Sequence, residues 1–81
     1  MFFVYILFSD SKNKHYVGQS NNIEDRLHRH NSGHEISTKS GTPWELIYHF
    51  EVQTRSEAML LEKRIKKRGA KRFLEDLKNE R

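Results

Sequence analysis

Hydrophobic positions along the chain follow two different periods. Residues 2–8, Phe-Phe-Val-Tyr-Ile-Leu-Phe, are an unbroken apolar run rich in aromatic and β-branched side chains. The polar cluster at 9–14, Ser-Asp-Ser-Lys-Asn-Lys, ends it. A run of that composition stopped by turn formers predicts a buried strand. Residues 14–19 return after the turn as a second strand, so the two make a hairpin. Alternation puts Phe3, Tyr5 and Leu7 on one face of the first strand and Phe2, Val4, Ile6 and Phe8 on the other. Tyr16 and Gly18 share a face of the second. Residues 44–52 alternate Trp44, Leu46, Tyr48, Phe50 and Val52 against Glu45, Ile47, His49 and Glu51. This predicts a third strand with one mostly apolar face.

Between and after the strands the period lengthens. Over 20–33, Ile23, Leu27 and His30 fall at helical spacing and make a narrow stripe. Asn21 is the expected cap, with Glu24 as its capping-box partner. Asp25 adds charge that the helix dipole favours in the first turn, and Gly33 is the stop. The stronger helix runs from Thr54 or Ser56, as cap, to Gly69. Ala58, Leu61 and Ile65 lie within about 60° on its wheel, and Lys63, Arg64, Lys66 and Lys67 lie opposite. A short last helix within 70–81 buries Phe73, Leu74 and Leu77. Residues 33–43, with two glycines and the only proline, read as a loop. The order ββαβαα predicts a small layered α+β domain.

Length makes this one domain, residues 1–81. A chain of this size buries roughly 60% of the surface its unfolded form exposes, so its core is small. There is no cysteine, which excludes disulfides and thiolate metal sites. The apolar N-terminus lacks the charged start and small-residue cleavage site of a signal peptide, and no run is long enough to span a membrane. A cytoplasmic protein without a membrane partner is expected. The net charge of +4 says little, but residues 63–72 carry seven basic residues and no acidic one. Such a run is either a solvated helix face or a footprint for a phosphate backbone.

Four features carry possible chemistry. Tyr5 and Tyr16 lie on neighbouring strands. They are either a packed cross-strand pair or hydroxyls whose surroundings lower their pKa for proton transfer. Arg26 and His30, one turn apart beside the Ile23/Leu27 stripe, are a surface pair or a group that meets phosphate charge. Glu62 sits at the edge of the buried helix face. It either pairs with Lys66 at i+4 or serves as a hard carboxylate ligand for Mg²⁺, an ion often held by one or two carboxylates plus substrate phosphates. His15, His28, His34 and His49 match no zinc spacing.

Together these residues resemble the GIY-YIG nuclease family, in particular its small stand-alone members. Phe3-Val4-Tyr5 stands where the family's first motif would be, and Tyr16-Val17-Gly18 is similar to the second. Ten residues separate the two tyrosines, as in the family's hairpin. The segment from Gly18 to Gly33 resembles the family's first helix, and residues 56–68 resemble the later helix with its metal-binding glutamate.

The resemblance implies a three-stranded antiparallel sheet flanked by helices. It also implies a metal-dependent endonuclease acting on DNA with one divalent ion, Mg²⁺ or Mn²⁺, and no small-molecule cofactor. Carried over, Tyr5 is the base or proton relay, and Tyr16 orients the nucleophile or the phosphate. Gly18 leaves room for the close approach of backbone, Arg26 stabilises phosphate charge, His30 assists Tyr5, and Glu62 holds the metal. Lys63, Lys66, Lys67, Arg68, Lys71 and Arg72 are the expected nucleic-acid contacts.

Two positions depart from the family pattern. Phe3 replaces the name-giving glycine, and no asparagine closely follows Glu62, Asn79 being the nearest downstream. A core this compact has no separate sequence-reading module. Selectivity for single-stranded, flapped or branched DNA is therefore expected, in repair, restriction or mobile-element roles, with a homodimer as one way to reach both strands. The rivals are a non-catalytic nucleic-acid-binding module of the same fold, and a small interaction domain whose tyrosines are core.

Overall fold

The structure, a computed structural model, describes residues 1–79. Its elements run β1 (Phe2–Ser9), β2 (Lys14–Ser20), α1 (Ile23–Asn31), α2 (Ile36–Lys39), β3 (Trp44–Val52), α3 (Arg55–Arg68) and α4 (Ala70–Asn79). The expected final helix is thus α4, and the last two positions of its segment lie outside the described residues. Within the expected loop the structure adds the four-residue α2.

The sheet is antiparallel in the order β2-β1-β3, so the apolar β1 is central. In the hairpin, Tyr5 faces Gly18 and Leu7 faces Tyr16. Directly opposed residues share a face. One face therefore carries Tyr5, Leu7, Tyr16 and Gly18, and the other carries Val4, Ile6 and Val17. Each face has its own core. Val4, Ile6 and Val17 pack with Ala58 and Ile65 of α3, joined by Phe73 and Leu74 of α4. Tyr5, Leu7 and Trp44 pack with Ile23 and Leu27 of α1 and with Leu46.

The third strand departs from its expected single apolar face. Ile6 pairs with Tyr48 but Leu7 pairs with Leu46, so Ile47 is an extra residue in a bulge. One inserted residue inverts the parity of everything beyond it. Trp44 and Leu46 therefore join the Tyr5 face, while Phe50 and Val52 join the Ile6 face.

Helix starts follow local chemistry. Thr54 caps α3 in a full capping box with Glu57, leaving Ser56 inside the helix, and Gly69 ends it at φ 94°. The cap of α1 is Asn22, not Asn21. The Ser20 hydroxyl accepts from the Asn22 amide at 2.9 Å, and Asn22, still extended, accepts from the Asp25 amide at 3.0 Å. That one-residue shift puts Asp25, not Glu24, in the third helical position and removes the expected capping box.

Candidate active site

The face bearing the two tyrosines is built around a buried histidine. Tyr5 and His30 are both almost wholly buried. The Tyr5 hydroxyl lies 3.1 Å from His30 Nε2, and His30 Nδ1 lies 2.9 Å from Thr38 Oγ1. Thr38 Oγ1 also donates to the Glu35 carbonyl at 3.3 Å. A hydroxyl has one proton. If Thr38 donates it to Glu35, Thr38 accepts from His30 Nδ1–H. Nε2 is then bare and accepts from the Tyr5 hydroxyl. The chain of donors runs one way, Tyr5 to His30 to Thr38 to Glu35, and sets the imidazole tautomer. Tyr16 packs edge-on against the other side of the same ring, at 4.9 Å between centroids.

Gly18 is what lets Tyr5 take this position. A Cβ at residue 18 would stand 2.5 Å from the Tyr5 hydroxyl oxygen. The bare backbone makes room for the neighbouring strand's phenol.

The electrostatics of the pair follow from burial. Burial, with the charges of Tyr16, Glu62 and Glu35 acting the same way against Arg26, holds the Tyr5 phenol well above its ordinary range. This reverses the expectation that a strand tyrosine here has a lowered pKa, because the desolvated anion outweighs the one arginine. Burial also pushes the His30 imidazole below its usual value, with Glu35 opposing and Arg26 reinforcing. Both groups are neutral partners of one hydrogen bond. The Tyr16 hydroxyl differs. It makes no hydrogen bond among the described residues, and every buried side-chain nitrogen or oxygen there has a partner, so it opens to solvent.

Around this pair the charged residues converge from three elements. Arg26 on α1 lies 3.6 Å from Glu35, and with Arg55, Gln19, Ser20, Asn21 and Phe2 it lines a recess of about 110 Å³. Gln19 also opens onto a groove of about 590 Å³ along α3, lined by Glu62, Lys63 and Lys66 among others. Gln19 Nε2 donates to Glu62 Oε1 at 3.1 Å, which ties the edge strand to α3. Lys66 pairs with the other carboxylate oxygen at 2.7 Å, as i+4 spacing allows. Gln19 pairs with Val4 on the sheet face opposite Tyr5, so the Gln19–Glu62 pair and the tyrosines lie on the two sides of the β2 edge strand.

The basic run does not make one face. Lys63 and Lys66 face the Glu62 groove, and Lys67 lines a second groove with Arg64 and Arg68. Arg68 is committed to both carboxylate oxygens of Asp76, at 2.8 and 3.0 Å. Lys71 lies near His15 and, after burial, helps push that imidazole down. Arg72 is exposed.

Gln19, Glu35, Thr38 and Arg55 belong to this neighbourhood and carry no signal in the sequence. Each acquires its place only through a tertiary contact, such as that between Gln19 and Glu62, which are 43 positions apart.

No cluster of three or more potential metal-ligating side chains occurs among the described residues. Glu62 is a lone hard-oxygen donor beside an open groove, and its Lys66 partner is 57% exposed. That suits an ion such as Mg²⁺, which keeps most of its ligands as water and substrate oxygens.

A three-stranded sheet with tyrosines on its central and edge strands, and with arginines and one such carboxylate beside that edge, has the parts of a hydrolytic site for phosphate esters. The chain belongs to the GIY-YIG catalytic domain family, whose model matches residues 1–75. Nuclease chemistry is the general activity of that family, which generally uses divalent metal ions. No curated protein and no solved structure matches the chain significantly.

Proposed function

We propose that this chain is a DNA endonuclease that hydrolyses phosphodiester bonds with one divalent ion and favours single-stranded, flapped or branched substrates. The supporting observation is that Gln19 of β2 joins Glu62 to the recess lined by Arg26 and Arg55, beside the strand pair that carries Tyr5 and Tyr16. In this reading the scissile phosphate sits across Gln19, between the arginine recess and Glu62. Arg26 and Arg55 hold its non-bridging oxygens, since guanidinium groups match phosphate geometry. The solvent-open Tyr16 hydroxyl takes the role of holding the attacking water and receiving its hydrogen bond. Tyr5, kept protonated and anchored to His30, is a fixed wall and donor rather than the base. Glu62 would hold the ion, oriented by Gln19, after Lys66 lets go. A metal there supplies Lewis-acid stabilisation of the leaving oxygen and lowers the pKa of bound water.

The test is cleavage of labelled single-stranded, duplex and branched DNA with Mg²⁺, Mn²⁺ or EDTA. Tyr16→Phe and Glu62→Gln should each remove more than about 100-fold of the rate, in the range of lost acid–base or electrostatic assistance. Both should keep the melting temperature within a few degrees. DNA binding without cleavage on any substrate would favour the non-catalytic module of the same fold.

A further inference from the structure

Next to Glu62, α3 turns two large apolar side chains outward. Met59 is 56% exposed and Leu60 64%. Neither belongs to either core cluster. With Gln19, Ser56, Glu62, Lys63 and Lys66 they line the groove of about 590 Å³, a volume typical of sites that hold small organic groups. Phosphate and sugar contacts use charged and polar donors and have no need of such surface. The apolar faces of bases do, and in an intact duplex those faces are hidden in the stack. Proteins that reach them use side chains such as Met and Leu as wedges between base steps. Here the thioether and isobutyl groups share a groove with two lysines and with the carboxylate of the candidate site. The groove therefore offers one set of partners to a polyanion's backbone and another to a base.

We propose that Met59 and Leu60 form a shelf for one unstacked nucleobase beside the phosphate that is cut. The occupant is single-stranded nucleic acid, because the groove is continuous with the Glu62 site through Gln19 and its lysines complement phosphate charge. The inference rests on the nuclease reading above and adds to it a physical origin for substrate preference: a nucleotide already unpaired reaches the shelf without the cost of breaking a stack.

The test uses the full chain and the double variant Met59→Ser/Leu60→Ser. Both positions are exposed and outside the cores, and a thermal melt checks that the fold is kept. Binding is measured in EDTA to a single strand carrying a fluorescent base analogue at successive positions, with the matching duplex alongside. The variant should bind the single strand about tenfold more weakly, as loss of apolar contact with one base requires. Duplex affinity should be unchanged, and the fluorescence response at one position should vanish. Equal losses on both substrates, or none on either, would overturn the shelf. So would a homodimer that dissociates in the variant while its DNA affinity holds, which would assign the surface to a second copy. A chain that shows the position-specific response but never cuts refutes the nuclease reading alone. One that cuts without any such response refutes the shelf alone.

Discussion

At the scale of single residues, the two tyrosines differ in exposure. Tyr5 is locked into a donor chain that ends at the Glu35 carbonyl. Its replacement by Phe leaves His30 Nε2 a buried acceptor without a donor, an unmet group that costs roughly 1–3 kcal/mol. Loss of activity in Tyr5→Phe would thus mix chemistry with folding, whereas Tyr16→Phe isolates the chemistry.

The same donor chain makes stability depend on pH. The His30 pKa in the folded state lies below its ordinary 6.5 because of burial, then Arg26. Above pH 6.5 the imidazole is neutral in both states, and the contacts of the folded form are fully available. As pH falls below 6.5 the unfolded chain takes up a proton that the folded chain still refuses, so stability drops. The drop ends once folded His30 also protonates, and its slope is at most about 1.4 kcal/mol per pH unit for this one group. Urea denaturation across that window should show it. His30→Gln should flatten the slope, leaving a remnant from His15, whose pKa is also lowered. An unchanged slope in His30→Gln would contradict this account.

At the scale of elements, much was legible in the sequence because it is locally coded. Turn formers set the hairpin, helical spacing set α1, α3 and α4, and Thr54 with Gly69 marked the ends of α3. The motif residues brought Tyr5, Tyr16, Arg26, His30 and Glu62 into view together. What stayed hidden depends on pairing across distance. Nothing in residues 44–52 marks Ile47 as supernumerary, because the alternation is regular until it is laid against β1. The direction of the Tyr5 pKa was hidden for a similar reason, since it is decided by how deeply tertiary packing buries the ring. Thr38 and Glu35 were invisible because a threonine and a glutamate in a polar loop look like solvent-facing residues.

The bulge also carries a prediction. Deleting Ile47 makes the pairing uninterrupted and leaves every partner of β1 on its present face, whereas deleting the paired residue His49 turns Phe50 and Val52 to the wrong face. Removing large apolar side chains from a core costs on the order of 2–5 kcal/mol each. That is a large share of the roughly 5–15 kcal/mol a domain has in total. The His49 deletion should leave the chain largely unfolded by circular dichroism at room temperature, and the Ile47 deletion should stay folded. A His49 deletion that melts like the parent, or an Ile47 deletion that unfolds, would contradict this register.

At the scale of the whole molecule, the positive charge is distributed rather than massed. Arg68 is held by Asp76 and Lys66 by Glu62, while Lys63 makes no ion pair among the described residues. If phosphates bind this surface, the logarithm of affinity for single strands falls against the logarithm of salt concentration by about 0.7 per phosphate neutralised. Lys63→Ala should reduce that slope by about one contact, and Arg68→Ala should change it much less. Equal effects of the two, measured by binding at several salt concentrations, would show that the Arg68–Asp76 pair opens to take up DNA.

One strand serves two hydrophobic clusters on opposite sides of the same sheet. Trp44 and Leu46 close the cluster over the tyrosines, and Phe50 and Val52, a few residues on, close the one under α3 and α4. Neither cluster can come apart without dragging β3 out of register for the other. The candidate site therefore has no private scaffold. Any opening large enough to disperse the tyrosine–histidine neighbourhood is an opening of the whole fold, so catalytic geometry and global cooperativity rise and fall together in this small chain.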